Sequence, residues 1–211
     1  MVAIAVLLLT LLAPGQQAFA GSSGVLWLGN DNLGSVFKTD TAGGVQQEIP
    51  TTPASGIAWD GASLFVSTAE GTITKRTAAG VVMDTFTISA EPFCPAGSGC
   101  TEDLAWDSTR GRLWRVVHNS PALQKINTTT HTLEASFPLD NSDPVIGSVG
   151  AMGIAYDAGR DLLYVSFCNE GCSDFTQGLV KSFHPDTGAE VAEVSRRRPP
   201  NPAAPLRRGC E

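Results

Sequence analysis

The chain has 211 residues, 42% of them hydrophobic, with 14 Lys and Arg against 21 Asp and Glu and a net charge of −7. That length can bury a sizeable core, and the acidic balance argues against a nucleic acid partner, whose phosphates it would repel. The last sixteen residues hold five Arg and one Glu, which leaves 9 basic and 20 acidic groups in residues 21–195, a net of −11.

Residues 1–20 read as a secretory signal: Val2 to Leu12 is a short apolar run, and Ala18-Phe19-Ala20 is a small-x-small cleavage site. The run is too short to cross a bilayer unaided, and no later stretch approaches the ~20 apolar residues of a spanning helix. The expectation is a secreted or periplasmic chain with no membrane contact after cleavage.

The segment 25–50 contains three short apolar or amphipathic runs: Val25-Leu26-Trp27-Leu28, Ser35-Val36-Phe37-Lys38 and Val45-Gln46-Gln47-Glu48-Ile49. From there a phrase recurs: Gly56-Ile57-Ala58-Trp59-Asp60, Asp103-Leu104-Ala105-Trp106-Asp107 and Gly153-Ile154-Ala155-Tyr156-Asp157. Each copy leads into a turn, an apolar strand (Leu64-Phe65-Val66, Leu113-Trp114-Arg115, Leu163-Tyr164-Val165), a third strand and an amphipathic fourth. The Asp residues lie 47 and 50 positions apart, and four short strands per unit of roughly 40–50 residues is the signature of a propeller blade. The fold class is therefore all-β, a propeller of four-stranded blades: a partial blade at 25–50 that lacks its first strand, and full blades at 56–90, 103–139 and 153–194. Residues 21–195 amount to about 3.6 units, against the 4–8 blades of closed propellers. A fourth copy of the phrase is expected near the C-terminus. In its place stands the Arg/Pro-rich tail 196–211. Either the original reading frame is lost near Ser195 and a longer propeller is truncated, or the tail is a disordered basic segment. Open blade edges would favour self-association.

The matching Gly-Ile-Ala-Trp-Asp segments, the Leu-Phe-Val-Ser and Leu-Tyr-Val-Ser strands and the Pro185-Asp186-Thr187-Gly188 turn resemble secreted bacterial propellers of the NHL and YVTN type and their gluconolactonase-like relatives. The resemblance covers residues 25–195. It implies the fold, while the function stays open among binders, lactonases, lyases and docking scaffolds. Gluconolactonase-like members hold a divalent cation in the central channel, but those ligands do not map residue by residue here. Lyase-like members use a His-based site, for which only His118 stands at a suitable height.

Blade geometry sorts the loops onto two faces. The connections from strand 2 to 3 and from strand 4 to the next strand 1 share one face. That face receives two close cysteine pairs, Cys94 with Cys100 and Cys168 with Cys172. In an exported chain these read as loop-stapling disulfides, because neither pair has the Cys-x-x-Cys spacing with His of a metal site. Cys210 is left over. The same face carries the candidate ligand-binding residues Asn30, Asp31, His118, Asn119, Asp140, Asp143, Asn169, Glu170 and Asp174. Such oxygen ligands suit Ca²⁺, although Asp and Asn also simply favour turns. Asp60, Asp107 and Asp157 recur with the blade and are expected to hydrogen-bond their following turns. Trp59, Trp106 and Tyr156 are expected to pack between blades. No nucleophile motif, phosphate loop or redox dithiol occurs, because Val149-Gly150-Ala151-Met152-Gly153 leads into a strand rather than a helix. The expectation is a secreted binding or interaction module for a protein, glycan or small molecule, working through the face with the stapled loops. The alternatives are a metal-dependent lactonase- or lyase-like enzyme and a fragment without function of its own.

Overall fold

The computed structural model describes residues 24–30, 34–52, 54–88, 101–118, 121–140, 142–143, 147–169 and 178–195. All regular elements among them are strands. The signal segment, the tail, Asp31, Asn119, Glu170, Asp174, Cys94, Cys100, Cys172 and Cys210 lie outside the described residues.

Four antiparallel sheets follow one another along the chain, each built of sequential neighbours. The first is β1 (Val25–Asn30), β2 (Ser35–Asp40) and β3 (Val45–Pro50). The second is β4 (Gly56–Trp59), β5 (Ser63–Ser67), β6 (Thr72–Thr77) and β7 (Val82–Thr87). The third is β8 (Thr101–Asp107), β9 (Arg112–Val117), β10 (Ala122–Asn127) and β11 (Thr132–Pro138). The fourth is β12 (Ser142–Asp143), β13 (Gly147–Asp157), β14 (Leu162–Asn169), β15 (Gly178–Phe183) and β16 (Glu190–Ser195). Among the described residues the opening sheet has three strands. The fourth blade departs from expectation: its inner strand begins at Gly147 rather than Gly153, and β12 pairs with that extension as a fifth strand. A register shift between Ala151 and Gly153 divides the extension from the repeated phrase and is what lets both halves pair with β14.

The inner strands β4, β8 and β13 pack side by side, and three cores fill the spaces between successive sheets. Leu64 and Val66 of the second sheet bury against Val36 and Ile49 of the first. Leu104 and Leu113 bury against Phe65, Ile73 and Phe86. Leu163, Val165 and Phe183 bury against Trp114, Val116 and Leu123. Period-two alternation on β5 sends Leu64 and Val66 to the preceding blade and Phe65 to the following one. Both faces of an internal blade are thus covered, which explains why these strands read as continuous apolar runs. Each fully buried Leu or Phe contributes about 1.5–3 kcal/mol.

The repeated aromatics lie between blades. Trp59 packs 5.4 Å from Trp27 and Trp106 stacks on Phe65 at 5.5 Å, while Tyr156 joins the core around Trp114. In the first three blades the aromatic on the second strand also faces a lysine directly across the sheet: Trp27 and Lys38, Phe65 and Lys75, Trp114 and Lys125. The ammonium groups lie 5.4–5.9 Å from the ring centroids, a cation–π geometry. The three repeated aspartates cap their turns. Oδ1 of Asp60 accepts from the backbone N–H groups of Ala62 and Ser63, Asp107 from Thr109 and Arg110, and Asp157 from Gly159 and Arg160.

Candidate functional site

The sheets present two faces of different chemistry. On the turn face, Arg110 leaves the turn after β8 and reaches the fourth blade. Its guanidinium donates to both oxygens of Asp161 at 2.6 and 2.8 Å and to both oxygens of Asp186 at 2.7 and 2.8 Å. It also meets Asp107, whose side chain is fully buried, at 3.2 Å. Two planar forks on one guanidinium are strong, directional pairings. They raise the Arg110 pKa and hold the carboxyls of Asp161 and Asp186 well below the usual carboxylate range. The Tyr156 hydroxyl donates to Asp161 at 2.7 Å and accepts from the Thr109 hydroxyl at 2.6 Å. Loss of solvation raises its pKa first, with the neighbouring carboxylate adding to the effect. The partners of Arg110 lie 51 and 76 residues along the chain, so its role as a clasp between blades was not legible from local sequence. Every strong donor here is matched by an acceptor, and the cluster is a structural joint.

The opposite face carries the ends of β1, β9 and β14 and the starts of β4, β8 and β13. Here a cavity of about 270 Å³ is lined by Gly29, Ala54, Ser55, Gly56, Ile57, Asp103 and Met152, with contributions from all four sheets. The repeated phrase builds it. In the second blade the phrase begins with Gly56, and a Cβ there would stand 2.7 Å from the Cα of Asp103. Glycine at 56 is what allows the two inner strands to approach. In the third blade the same position is Asp103. Its Oδ1 accepts from its own strand at Leu104 N–H (2.8 Å), and Oδ2 accepts from Ile154 N–H of the fourth blade at 3.1 Å. The carboxylate is thereby fixed at the floor of the cavity. Met152, 36% exposed, stands in the bulged part of β13 and supplies an adaptable apolar wall.

Of the residues expected to bind ligand, Asn30, His118, Asp140, Asp143 and Asn169 are described, and all five fall at this face. Asn30 ends β1, His118 follows β9, Asp140 lies exposed beyond β11, Asp143 pairs with Gly147, and Asn169 pairs with Val149 at the end of β14. Neither His118 nor Asp140 is among the residues that line the cavity. His118 is half-buried against Gly150, where any Cβ would collide with its ring, and its Nδ1 lies 3.1 Å from the Ala151 carbonyl. It therefore ties the third blade to the extension of β13. Among the described residues no three metal-binding side chains cluster. The expected oxygen ligands at Asp31, Asn119, Glu170 and Asp174 lie outside those residues, as do Cys94, Cys100 and Cys172, three of the four cysteines expected to pair. Cys168 is 8% exposed at the end of β14 and is not a free thiol. Asp103 opens one copy of the repeated phrase but is not among the residues the sequence singled out for ligand binding. The available signal was its place in the repeat, the one copy with a carboxylate where the other two have glycine.

Beneath the same face lies Arg115, fully buried on β9. Its Nε donates to Gln124 Oε1 at 2.6 Å and one terminal nitrogen donates to the Ile88 carbonyl at 2.8 Å. Burial pushes its pKa down to about 10, so it is cationic at neutral pH. Ile88 closes the second blade, so this cation braces the junction from which the connection to β8 departs.

Comparison with known proteins bears on fold alone. No family model matches the chain, and neither does any curated protein. Among solved structures, the hydrazine synthase of Kuenenia stuttgartiensis is similar at 14% identity and a TM-score of 0.56, over 82% of this chain and 46% of that one. A protein of unknown function from Bacteroides caccae is similar at 10% identity and a TM-score of 0.49, over 82% of this chain and 73% of that one. The chain thus spans about half the length of the hydrazine synthase chain. With its four stacked antiparallel sheets, the fold of this chain is that of a β-propeller.

Proposed function

We propose that this chain is a binding module that takes a small polar ligand, or a protruding group of a glycan or protein, in the mouth cavity beside Asp103. The observation that carries the reading is the convergence of all four sheets on one cavity of about 270 Å³ with a fixed carboxylate in its floor. Ligand sites are concave and fix their ligands through a few oriented polar groups; this cavity is concave, presents more polar than apolar surface and holds Asp103 in a fixed orientation. Asp103 favours a ligand that presents hydroxyl or ammonium donors. The expected export of the chain and the expected pairing of its cysteines fit a module that works outside the cytoplasm.

The test is a thermal-shift screen of monosaccharides, oligosaccharides, polyols, primary amines and CaCl₂. It is run in parallel on the protein and on Met152→Trp, whose indole would fill the cavity. A compound that stabilises the protein but not Met152→Trp supports the reading. Compounds that stabilise both equally place binding elsewhere. Stabilisation by CaCl₂ that EDTA reverses would favour the metal-dependent enzyme.

A further inference from the structure

The strand registers make four residues equivalent. Trp27, Phe65, Trp114 and Tyr164 each sit at the same point of the second strand of their blade, because the first three oppose the repeated lysines and the last three oppose Ala58, Ala105 and Ala155. The residues on either side then correspond as well. Leu26 is equivalent to Leu64, Leu113 and Leu163, which are all 0% exposed, yet Leu26 is 48% exposed. Leu28 is equivalent to Val66, Arg115 and Val165, exposed by 3%, 0% and 0%, yet Leu28 is 50% exposed. In blades two to four these positions are covered by the preceding blade. On the first blade they face outward with the same chemistry, exposed and without a covering blade among the described residues.

The other end of the stack mirrors this. Ala58 and Ala105, which face the following blade, are 8% and 6% exposed, whereas Ala155 is exposed. Phe65 and Trp114 are 0% exposed on that face, whereas Tyr164 is only half-buried. Leading positions occupied by leucine meet a trailing aromatic at all three internal junctions, with a trailing alanine beside it at the second and third. The chain carries one uncovered copy of each half.

We propose that a second copy of this chain covers both surfaces, the leading face of blade one seating on the trailing face of blade four of the partner and the reverse. The contact is head-to-tail, and such contacts either close into rings or run on into fibres. Two copies close with eight sheets, within the 4–8 blades of closed propellers. The occupant is a second copy because the surface that covers leucines of this kind is, at all three internal junctions, the trailing face of a blade, and this chain displays one.

Light scattering on the size-exclusion eluate of the full chain, across a dilution series, reads the mass. The expected species has twice the chain mass. Leu28→Glu and Ala155→Arg, each at an exposed position, are both expected to give monomers with unchanged circular dichroism, and Leu26→Glu serves if Leu28→Glu does not fold. Mixing the two monomeric variants leaves one intact junction, formed by the trailing face of Leu28→Glu and the leading face of Ala155→Arg, and a species of twice the chain mass should reappear. A monomer at every concentration overturns the proposal. So does a dimer that Ala155→Arg leaves intact, which would mean two leading faces pair with each other, and so does an open ladder of higher oligomers.

Discussion

The turn face and the mouth face are made by the same repeat, yet they use charge in opposite ways. On the turn face, one guanidinium is shared among Asp107, Asp161 and Asp186, and a tyrosine hydroxyl completes the ring of partners. On the mouth face, a carboxylate is held by backbone N–H groups from two blades at the bottom of an accessible cavity. A side-chain cluster that neutralises itself locks blades together, whereas Asp103 is oriented by backbone N–H groups beside a cavity. The denser constellation of charge is therefore the structural one.

The largest expected effect lies on the turn face. Arg110→Ala leaves the fully buried Asp107 without its cation, and breaking such a pair costs about 3 kcal/mol or more. Denaturant unfolding should show that loss, while the ligand found for the mouth cavity should bind unchanged. A fall in binding of the same size would erase the distinction between the two faces.

Acid separates them next. The folded-state carboxyls of Asp161 and Asp186 are depressed by Arg110. Their contribution is therefore fully present above the unfolded value of about 3.9 and is lost as pH falls through the lower folded values. Unfolding curves measured from neutral pH downward should steepen below about pH 4, and Arg110→Ala should flatten that limb. An identical acid limb in the variant would show that the clasp does not carry the dependence.

Asp103→Asn sharpens the comparison from the other side. The amide oxygen can still accept from Ile154 N–H, but the amide nitrogen cannot accept from Leu104 N–H, so stability should fall by about 1–3 kcal/mol. Binding of a cationic or hydroxylated ligand should weaken by about tenfold, the equivalent of ~1.4 kcal/mol for a charged hydrogen bond. Isothermal titration at fixed ionic strength reads both the affinity and its enthalpy. The smallest effect expected is at Lys75, whose ammonium lies 5.4 Å from the Phe65 ring centroid. Lys75→Met keeps the aliphatic stem and removes a contact worth about 0.5–1 kcal/mol, which a small drop in melting temperature should register.

Much of the fold was legible in the chain because each blade writes its own period: turn, apolar strand, polar-facing third strand, amphipathic fourth. Trp59, Trp106 and Tyr156 pack between blades, and Asp60, Asp107 and Asp157 cap turns, because both roles depend on residues within one unit or its neighbour. The five-residue extension and bulge at the start of β13 were not legible. Val149-Gly150-Ala151-Met152 lacks the β-branched density that marks a strand, and its pairing is dictated by the long β14 beside it. The Arg110 clasp was hidden for a related reason. Its partners come close only once two blades are stacked, and no local spacing encodes a contact across 51 or 76 residues. The candidate site was half legible. Blade topology sorted the loops by face, and the choice of Asn30, His118, Asp140, Asp143 and Asn169 followed loop polarity, whereas the described lining of the cavity comes from β1, the residues leading into β4, β4 itself, β8 and β13. There the informative residue was Asp103, the exception within the repeat.

The most direct test of the account is a ¹H–¹⁵N titration of the assigned protein with the mixed panel of sugars, polyols and primary amines. The account predicts that amide shifts concentrate at Gly29, Gly56, Asp103 and Met152, with Thr109, Arg110 and Asp186 unmoved. Shifts centred on the Arg110 cluster, with the cavity residues silent, would contradict it.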